Sequence, residues 1–437
     1  MPSEPRARWR SSAKLATVSV LALAALTACI GGPPRPTTPT YSGATRPDPT
    51  RPARPGEPVP TGIISERYAD SRNAYMPRHI PRDEAQNIKR VAVLLPFSST
   101  NPEVQRVTRG LYNSIQLALF EIGARDVVLM PRDASNADPR ETARIAEDAV
   151  KDGAIAVIGP LFAQQVAAVA GEAAVVRAPV LAFSTDVSVI GQGAYLVSLT
   201  PKSEVERIVD WAASQGVTRF VMFGPDSAYS RTVEAVLREE TAERGGTVVS
   251  VEYYTQGNSS PQNEARRLAA VVQAENAANP GKVAVLITEQ GVQLRSVGGL
   301  LRAVSNLNPR ELRFLGTGTW NDPEVWREPA LYGGAFPAPD PEAQTNFERR
   351  YLATFGEPAP RLSSYGYDAG ALAATLANSE RLDAAMIQRT QGWGGVNGLF
   401  RFQPDGSVER ALAVMQLQNQ GGVKVISPPI KTFGPGG

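Results

Sequence analysis

From Ile88 onward the chain alternates continuous apolar runs with amphipathic stretches. The strand-like runs are Val91 to Leu95, Val127 to Met130, Ile155 to Ile158, Val180 to Phe183, Phe220 to Phe223, Val248 to Val251 and Val283 to Ile287, with Phe314-Leu315 as a weaker one. Runs without polar alternation suit parallel strands buried on both faces. Between them lie helix start signals. In Asp138-Pro139-Arg140-Glu141, Asp138 can cap, Pro139 has the fixed φ of a first helical position and Glu141 can close a capping box. Ile145, Ala146, Ala149 and Val150 follow as one apolar face. Thr200-Pro201, Ser260-Pro261 and Asp340-Pro341 repeat the signal. Strand-to-helix alternation with short turns predicts a doubly wound α/β fold, in which ligands sit beyond the carboxyl ends of the strands. No repeat of fixed period is present. At 437 residues the chain exceeds what one core holds, so two lobes are expected.

The first 87 residues follow none of these periods. Basic residues through Lys14 precede an apolar run from Leu15 to Ala28, which falls short of the ~20 residues that span a bilayer and has the layout of a signal peptide. Residues 1–28 are read as that leader. Its end, Leu26-Thr27-Ala28-Cys29, resembles the bacterial lipobox, so Cys29 is the expected lipidation site. Two or three acyl chains there make attachment effectively permanent. Ile30 stands where an Asp is associated with inner-membrane retention in enteric bacteria, so the outer membrane, on its periplasmic side, is the expected location. From Gly31 to Gly62 the chain holds ten of its 36 prolines, a composition that packs no core and favours polyproline II. At ~3.1 Å per residue this stretch extends ~100 Å. Residues 29–87 are taken together as a lipidated linker, its last part, 63–87, being either more tether or an arm lying on the domain.

Charge and chemistry narrow the choice of function. Without the leader, which carries four of the 45 basic and one of the 43 acidic residues, the balance is near neutral and offers no electrostatic case for nucleic acid. One cysteine excludes an intrachain disulfide, a thiolate zinc site and an iron–sulfur cluster. The one histidine, His79, stands in a polar stretch before the first strand and reads as a solvated loop residue. No G-x-S-x-G, P-loop or H-E-x-x-H motif occurs, so neither an enzyme nor a cofactor or metal site is expected.

Several strand-end turns, in order, resemble those of the type 1 periplasmic binding proteins, the leucine-binding class of two-lobed receptors. They are Val91 to Phe97, Val157-Ile158-Gly159-Pro160-Leu161, Ala178 to Thr185, Gly224-Pro225-Asp226-Ser227-Ala228-Tyr229, Phe314 to Trp320, Tyr365-Gly366-Tyr367-Asp368-Ala369, and Gly398 to Phe402 with Gly406. The resemblance covers nearly all of residues 88–433. It implies one lobe of about 88–200 and 338–405, a second of about 201–337 and 406–433, and a cleft between them.

The same resemblance supplies cleft candidates. Ser184 and Thr185 match a hydroxyl-bearing turn and Tyr229 matches an aromatic that lines the cleft, while Ser98, Gln164, Glu289, Thr317 and Trp320 stand at other strand ends. Ala163 takes the place of the hydroxyl residue that helps hold an amino acid's carboxylate, although backbone amides at a helix start still bind anions. The family's ammonium-binding acid follows a Gly in the turn that here reads Gly316-Thr317-Gly318-Thr319, without a carboxylate, leaving Glu289 as a substitute. An amine's charge needs such a partner when buried. Within the fold, Ala182 to Asp186 and Gly316 to Trp320 are similar to the penicillin-binding-protein activators, outer-membrane lipoproteins that stimulate a bifunctional peptidoglycan synthase. The longest activators carry a helical-repeat domain where this chain has its Pro-rich stretch. The expected function is therefore activation of a class A penicillin-binding protein in peptidoglycan synthesis. The alternative is a substrate-binding lipoprotein of an ABC transporter for branched-chain amino acids, amides or related small molecules.

Overall fold

The computed structural model describes residues 88–434 except 125, 137, 259, 308–310 and 380–383. The leader, Cys29, the Pro-rich stretch and His79 lie outside the described residues. The first lobe opens with β1 (Lys89–Leu95), α1 (Pro102–Ile122), β2 (Val127–Asp133), α2 (Pro139–Lys151), β3 (Ala154–Ile158), α3 (Ala163–Ala174), β4 (Val180–Ala182) and β5 (Ala194–Leu196). These strands form one parallel sheet in the order β2-β1-β3-β4-β5. The second lobe follows with α4 (Pro201–Ser214), β6 (Arg219–Pro225), α5 (Ala228–Glu243), β7 (Thr247–Tyr254), α6 (Gln262–Ala278), β8 (Val283–Ile287), α7 (Gly291–Ser305), β9 (Arg313–Gly316) and β10 (Ala335–Ala338).

The chain then returns to the first lobe through α8 (Pro341–Phe355), α9 (Ser363–Ala377) and α10 (Ala384–Ile387). A small antiparallel sheet of β11 (Trp393–Gly395), β12 (Gly398–Phe402) and β13 (Val408–Arg410) adds Trp393, Phe400, Phe402 and Val408 to the same core as Val91 and Leu95. Finally β14 (Ala413–Leu417) and β15 (Val423–Ser427) join the second sheet antiparallel, giving the order β15-β14-β10-β9-β8-β6-β7. The result is a two-lobed α/β protein. Each of the two large sheets has an apolar layer on both faces, which is why its central strands read as unbroken apolar runs.

The start signals act where they stand. Asp138 accepts the Arg140 amide at 2.9 Å, Asp340 accepts the Glu342 amide at 2.9 Å, and Thr200 accepts the Ser203 amide at 3.5 Å, each ahead of a proline that opens the helix. Two details differ. Glu141 turns to Arg144, 2.6 Å away, instead of reaching back to close a box. Ser260 caps nothing, because α6 begins only at Gln262.

Two glycines let α9 lie directly on α1. A Cβ on Gly366 would meet the Leu111 carbonyl oxygen at 2.5 Å, and one on Gly370 would meet Ile115 backbone at 2.9 Å. Gly366→Val is expected to cost about 1–3 kcal/mol, the usual penalty for overpacking, measurable as a lower urea midpoint; an unchanged midpoint would contradict so close an approach.

Where the chain passes between the lobes, the connections are bonded to one another. Ser203 on α4 donates to the Val408 carbonyl at 2.8 Å, and Arg207 donates to the Leu412 carbonyl at 2.7 Å and to the Ser427 hydroxyl at 2.6 Å. The Arg410 guanidinium donates to the Val197 carbonyl and lies 3.6 Å from the Asp368 carboxylate of α9, both side chains being wholly buried.

Candidate functional site

Parallel strands put the carboxyl ends of each sheet on one rim, and most of the candidates fall there. On the first lobe Ser98 follows β1, Gln164 lies in the first turn of α3, and Ser184 and Thr185 follow β4. Ser98, Gln164 and Thr185 are exposed, whereas Ser184 is buried. Ser98 donates from its hydroxyl to Asp133 at 2.5 Å, and Ser135 donates to the same carboxylate at 2.5 Å. Burial would raise the Asp133 carboxyl, but these bonds, together with the amides of Ser98 and Ser135, hold it below its ordinary value. Ser184 accepts the Asp186 amide at 3.0 Å, which shapes the turn more than it faces a ligand. The neighbour of Gln164, Gln165, is buried and donates to the carbonyls of Ala134 and Asn136 at 3.1 and 2.7 Å, tying α3 to the turn after β2.

On the second lobe the structure draws Tyr229, Thr317 and Glu289 into one chain of polar contacts. Tyr229, in the first turn of α5, donates to the Thr317 hydroxyl at 2.7 Å; Thr317 and Thr319 share a 2.9 Å hydrogen bond; Thr319 donates to the Glu289 carbonyl at 3.1 Å. The Glu289 carboxylate is engaged by the Tyr254 hydroxyl at 2.7 Å and by the Gln290 amide at 3.1 Å. Trp320 does not join them. Its indole is fully buried, packed onto Gly316 and Gly334 and tilted against Phe336, 6.4 Å between ring centres. It belongs to the core and not to the cleft lining, because the short helical turn of residues 318–320 turns the ring into the apolar layer on one face of the second sheet.

One residue that strand-end reasoning passes over stands at the centre of this chain. Glu204, in the first turn of α4, is 7% exposed. Its carboxyl accepts the Gly318 amide at 3.1 Å and lies 3.5 Å from the Tyr229 hydroxyl. The Gly316-Thr317-Gly318-Thr319 turn, which has no acid of its own, thus receives one from another element. A Cβ on Gly318 would come within 2.1 Å of the Glu204 carboxyl, so the missing side chain is what admits it. Burial pushes the Glu204 carboxyl up to about 8, against the pull of the Gly318 amide, the Tyr229 hydroxyl and Arg361. Near neutral pH it therefore mostly holds its proton. Burial, followed by the nearby Glu204 charge, also pushes Tyr229 upward. The signal was available in sequence: Pro201, Glu204, Val205 and Ile208 have helical spacing, and all four are buried, so an acid occupies the apolar stripe of α4.

Chemically, the first-lobe rim offers hydroxyls and the amides at the start of α3, and the second-lobe rim offers a protonated carboxyl among hydroxyls. Among the described residues no group of three or more His, Cys, Asp and Glu is placed to hold a metal ion.

Comparison with known proteins agrees with this architecture. The family model described as periplasmic binding protein matches residues 89–422. No curated protein matches the chain. Among solved structures, one attributed to a branched-chain amino acid ABC transporter of Rhodospirillum rubrum aligns with a TM-score of 0.66 at 19% identity, covering 78% of this chain and 100% of that one. The C-domain of LpoA (YraM) from Haemophilus influenzae, a regulator of PBP1A, aligns with a TM-score of 0.59 at 18% identity, covering 77% of this chain and 100% of that one. Against full-length LpoA the TM-score is 0.58 at 17% identity, and 59% of that chain is covered. At these identities the structural likeness establishes the fold, and with the family match over most of its length the chain belongs to the periplasmic binding protein family.

Proposed function

We infer that the protein is a non-catalytic lipoprotein, moored by Cys29 on the periplasmic side of the outer membrane, whose two-lobed domain activates a class A penicillin-binding protein. The observation that carries this reading is the state of the second-lobe rim. Its Gly318 amide and Tyr229 hydroxyl are already engaged by the protein's own Glu204 and Thr317. Displacing these contacts would leave a buried carboxyl and a backbone amide unpaired, at a cost of several kcal/mol to any ligand that did not replace them. A receptor that loads and unloads amino acids gains nothing from that arrangement. The Pro-rich stretch suits a domain that must reach a partner at a distance, since a tether raises the partner's effective concentration. The LpoA C-domain, a regulator of PBP1A, aligns over its whole length, as does the structure attributed to the Rhodospirillum rubrum transporter, so the likeness is shared by both readings and the rim is what separates them.

The test is direct. Added to a class A synthase from its own cell, the protein is expected to raise the rate of glycan polymerisation or crosslinking several-fold, and failure to stimulate any such synthase would defeat the reading. The second reading, capture of a small molecule for transport, is favoured by the exposed Thr185 on the opposite rim. Melting curves with amino acids, amides and muropeptides separate the two, because a ligand at 100 times its Kd stabilises by ~2.7 kcal/mol. We expect flat curves across the panel; a clear shift would support transport.

A further inference from the structure

Half of the exposed large hydrophobic side chains among the described residues stand at one end of the first lobe. Phe120 (58% exposed) and Ile122 (41%) close the last turn of α1, and Val175 (77%) and Val176 (49%) follow α3; Val292, Leu352, Val425 and Ile430 are scattered elsewhere. The topology fixes which end this is. All strands of the first sheet are parallel, so each helix returns the chain to the strands' amino ends, away from the rim that carries Ser98, Thr185 and Gln164. The described chain begins at this same end. The Lys89 amide donates to the Asp126 carbonyl at 2.8 Å, four residues past Ile122, and the Ile88 side chain is buried in the core that also holds Leu119.

We propose that residues 63–87 of this chain dock across Phe120 and Ile122 as an arm. The 25 residues before Ile88 span up to ~80 Å when extended, more than enough to turn back over the end of α1. Their composition suits the surface. Ile63, Ile64, Tyr68, Tyr75, Met76 and Ile80 lie within them, whereas Gly31 to Gly62 holds only Tyr41 and Val59 as large hydrophobics. Basic and acidic residues in the arm balance, four arginines against four carboxylates, so the contact is apolar and not ionic. The border of the patch agrees: Glu121 is already held by Arg350 at 3.0 Å and by the Tyr367 hydroxyl at 2.6 Å. This inference does not depend on which function the rims serve.

Hydrogen exchange on the full lipidated chain in detergent tests it. Amides of residues 63–87 are expected to exchange at least about 10-fold more slowly than free-chain amides, while those of residues 31–62 exchange freely. Phe120→Asp with Ile122→Asp returns 63–87 to the free-chain rate and leaves β1 and α9 protected, the internal check on folding. Val175→Asp, on the other face of the sheet, leaves the arm unchanged. A photocrosslinker at position 120 in otherwise unaltered protein captures a peptide from 63–87. Free exchange of 63–87 in the unaltered chain, protection that survives the double substitution, loss of protection with Val175→Asp alone, or capture of no arm peptide would each overturn the proposal.

Discussion

Replacing Arg410 by Met is expected to destabilise the protein by about 3–5 kcal/mol, the usual cost of removing one partner of a buried ion pair. Among the described residues Arg410 is the one positive charge acting on the Asp368 carboxylate, and both side chains are fully buried. The carboxylate also accepts the Val396 amide at 2.6 Å, the Asn397 amide at 3.3 Å and the Asn397 side chain at 2.9 Å. Burial holds the Asp368 carboxyl above its ordinary value, and Arg410 followed by these donors offsets only part of that rise. Without Arg410 the donors remain but the cation is lost, and the aromatic rings of Phe400 and Tyr365, 4.8 and 5.5 Å from the guanidinium carbon, lose the charge stacked over them. The Val197 carbonyl at the first passage between lobes loses its donor too. Asp368→Asn keeps the shape but strands Arg410 without its counter-charge, so it should cost nearly as much. The double variant should cost less than the two together, because it leaves no unpaired buried charge. Urea midpoints of the three variants decide the matter. A loss below about 1 kcal/mol for Arg410→Met would mean that the pair contributes shape and not electrostatic stability.

How far the sequence reveals such a structure depends on what each element is asked to do. All eight apolar runs fall on parallel strands, β1 to β4 and β6 to β9, seven of them because strands covered on both faces must be apolar, whereas β7, at the edge of the second sheet, is only half-buried. Of the strands that escape this reading, β14 is apolar and buried like the others, while several more are short or poor in large apolar residues. Ala194–Leu196 is three residues long, and Trp393–Gly395 is two-thirds glycine. Ala335–Ala338 contains Pro337 although it lies inside the sheet, which is tolerated because β9 pairs with β10 only at Ala335 and leaves the proline's nitrogen no ladder partner to miss. The rim candidates were legible for a topological reason: strand ends mark the rim. Their bonds were not, since Ser98 meets Asp133 from 35 residues away and Tyr229 meets Thr317 from 88. Trp320 was misplaced because a turn's sequence does not say which way its last side chain swings. Glu204 escapes strand-end reasoning because its signal is an acid on a helix's buried stripe and not a turn residue.

That acid sets the second large effect. The Glu204 carboxyl titrates near 8 in the folded protein against 4.5 for an ordinary glutamate, burial being the principal cause. Between these values the folded chain keeps a proton that the unfolded chain has lost, so unfolding releases it and stability falls as pH rises. Below 4.5 both states are protonated and the penalty vanishes; above 8 both are ionised and it is complete. Glu204→Gln removes the titration while retaining an acceptor for the Gly318 amide and a donor toward Tyr229, 3.5 Å from the present carboxyl. The variant should therefore match the parent at pH 4.5 and exceed it by about 2–4 kcal/mol above pH 8, at roughly 1.4 kcal/mol per unit discounted for relaxation around the site. Glu206, pushed up to about 7 by burial and by Glu240 and Glu409, lowers stability over a narrower window in both proteins and cancels in the difference. Urea titrations of both proteins from pH 4.5 to 9 give the result. Parallel curves would mean that Glu204 is ionised throughout and that the second-lobe rim carries a standing negative charge, an amine-binding feature that the transport reading requires and the regulator reading does not.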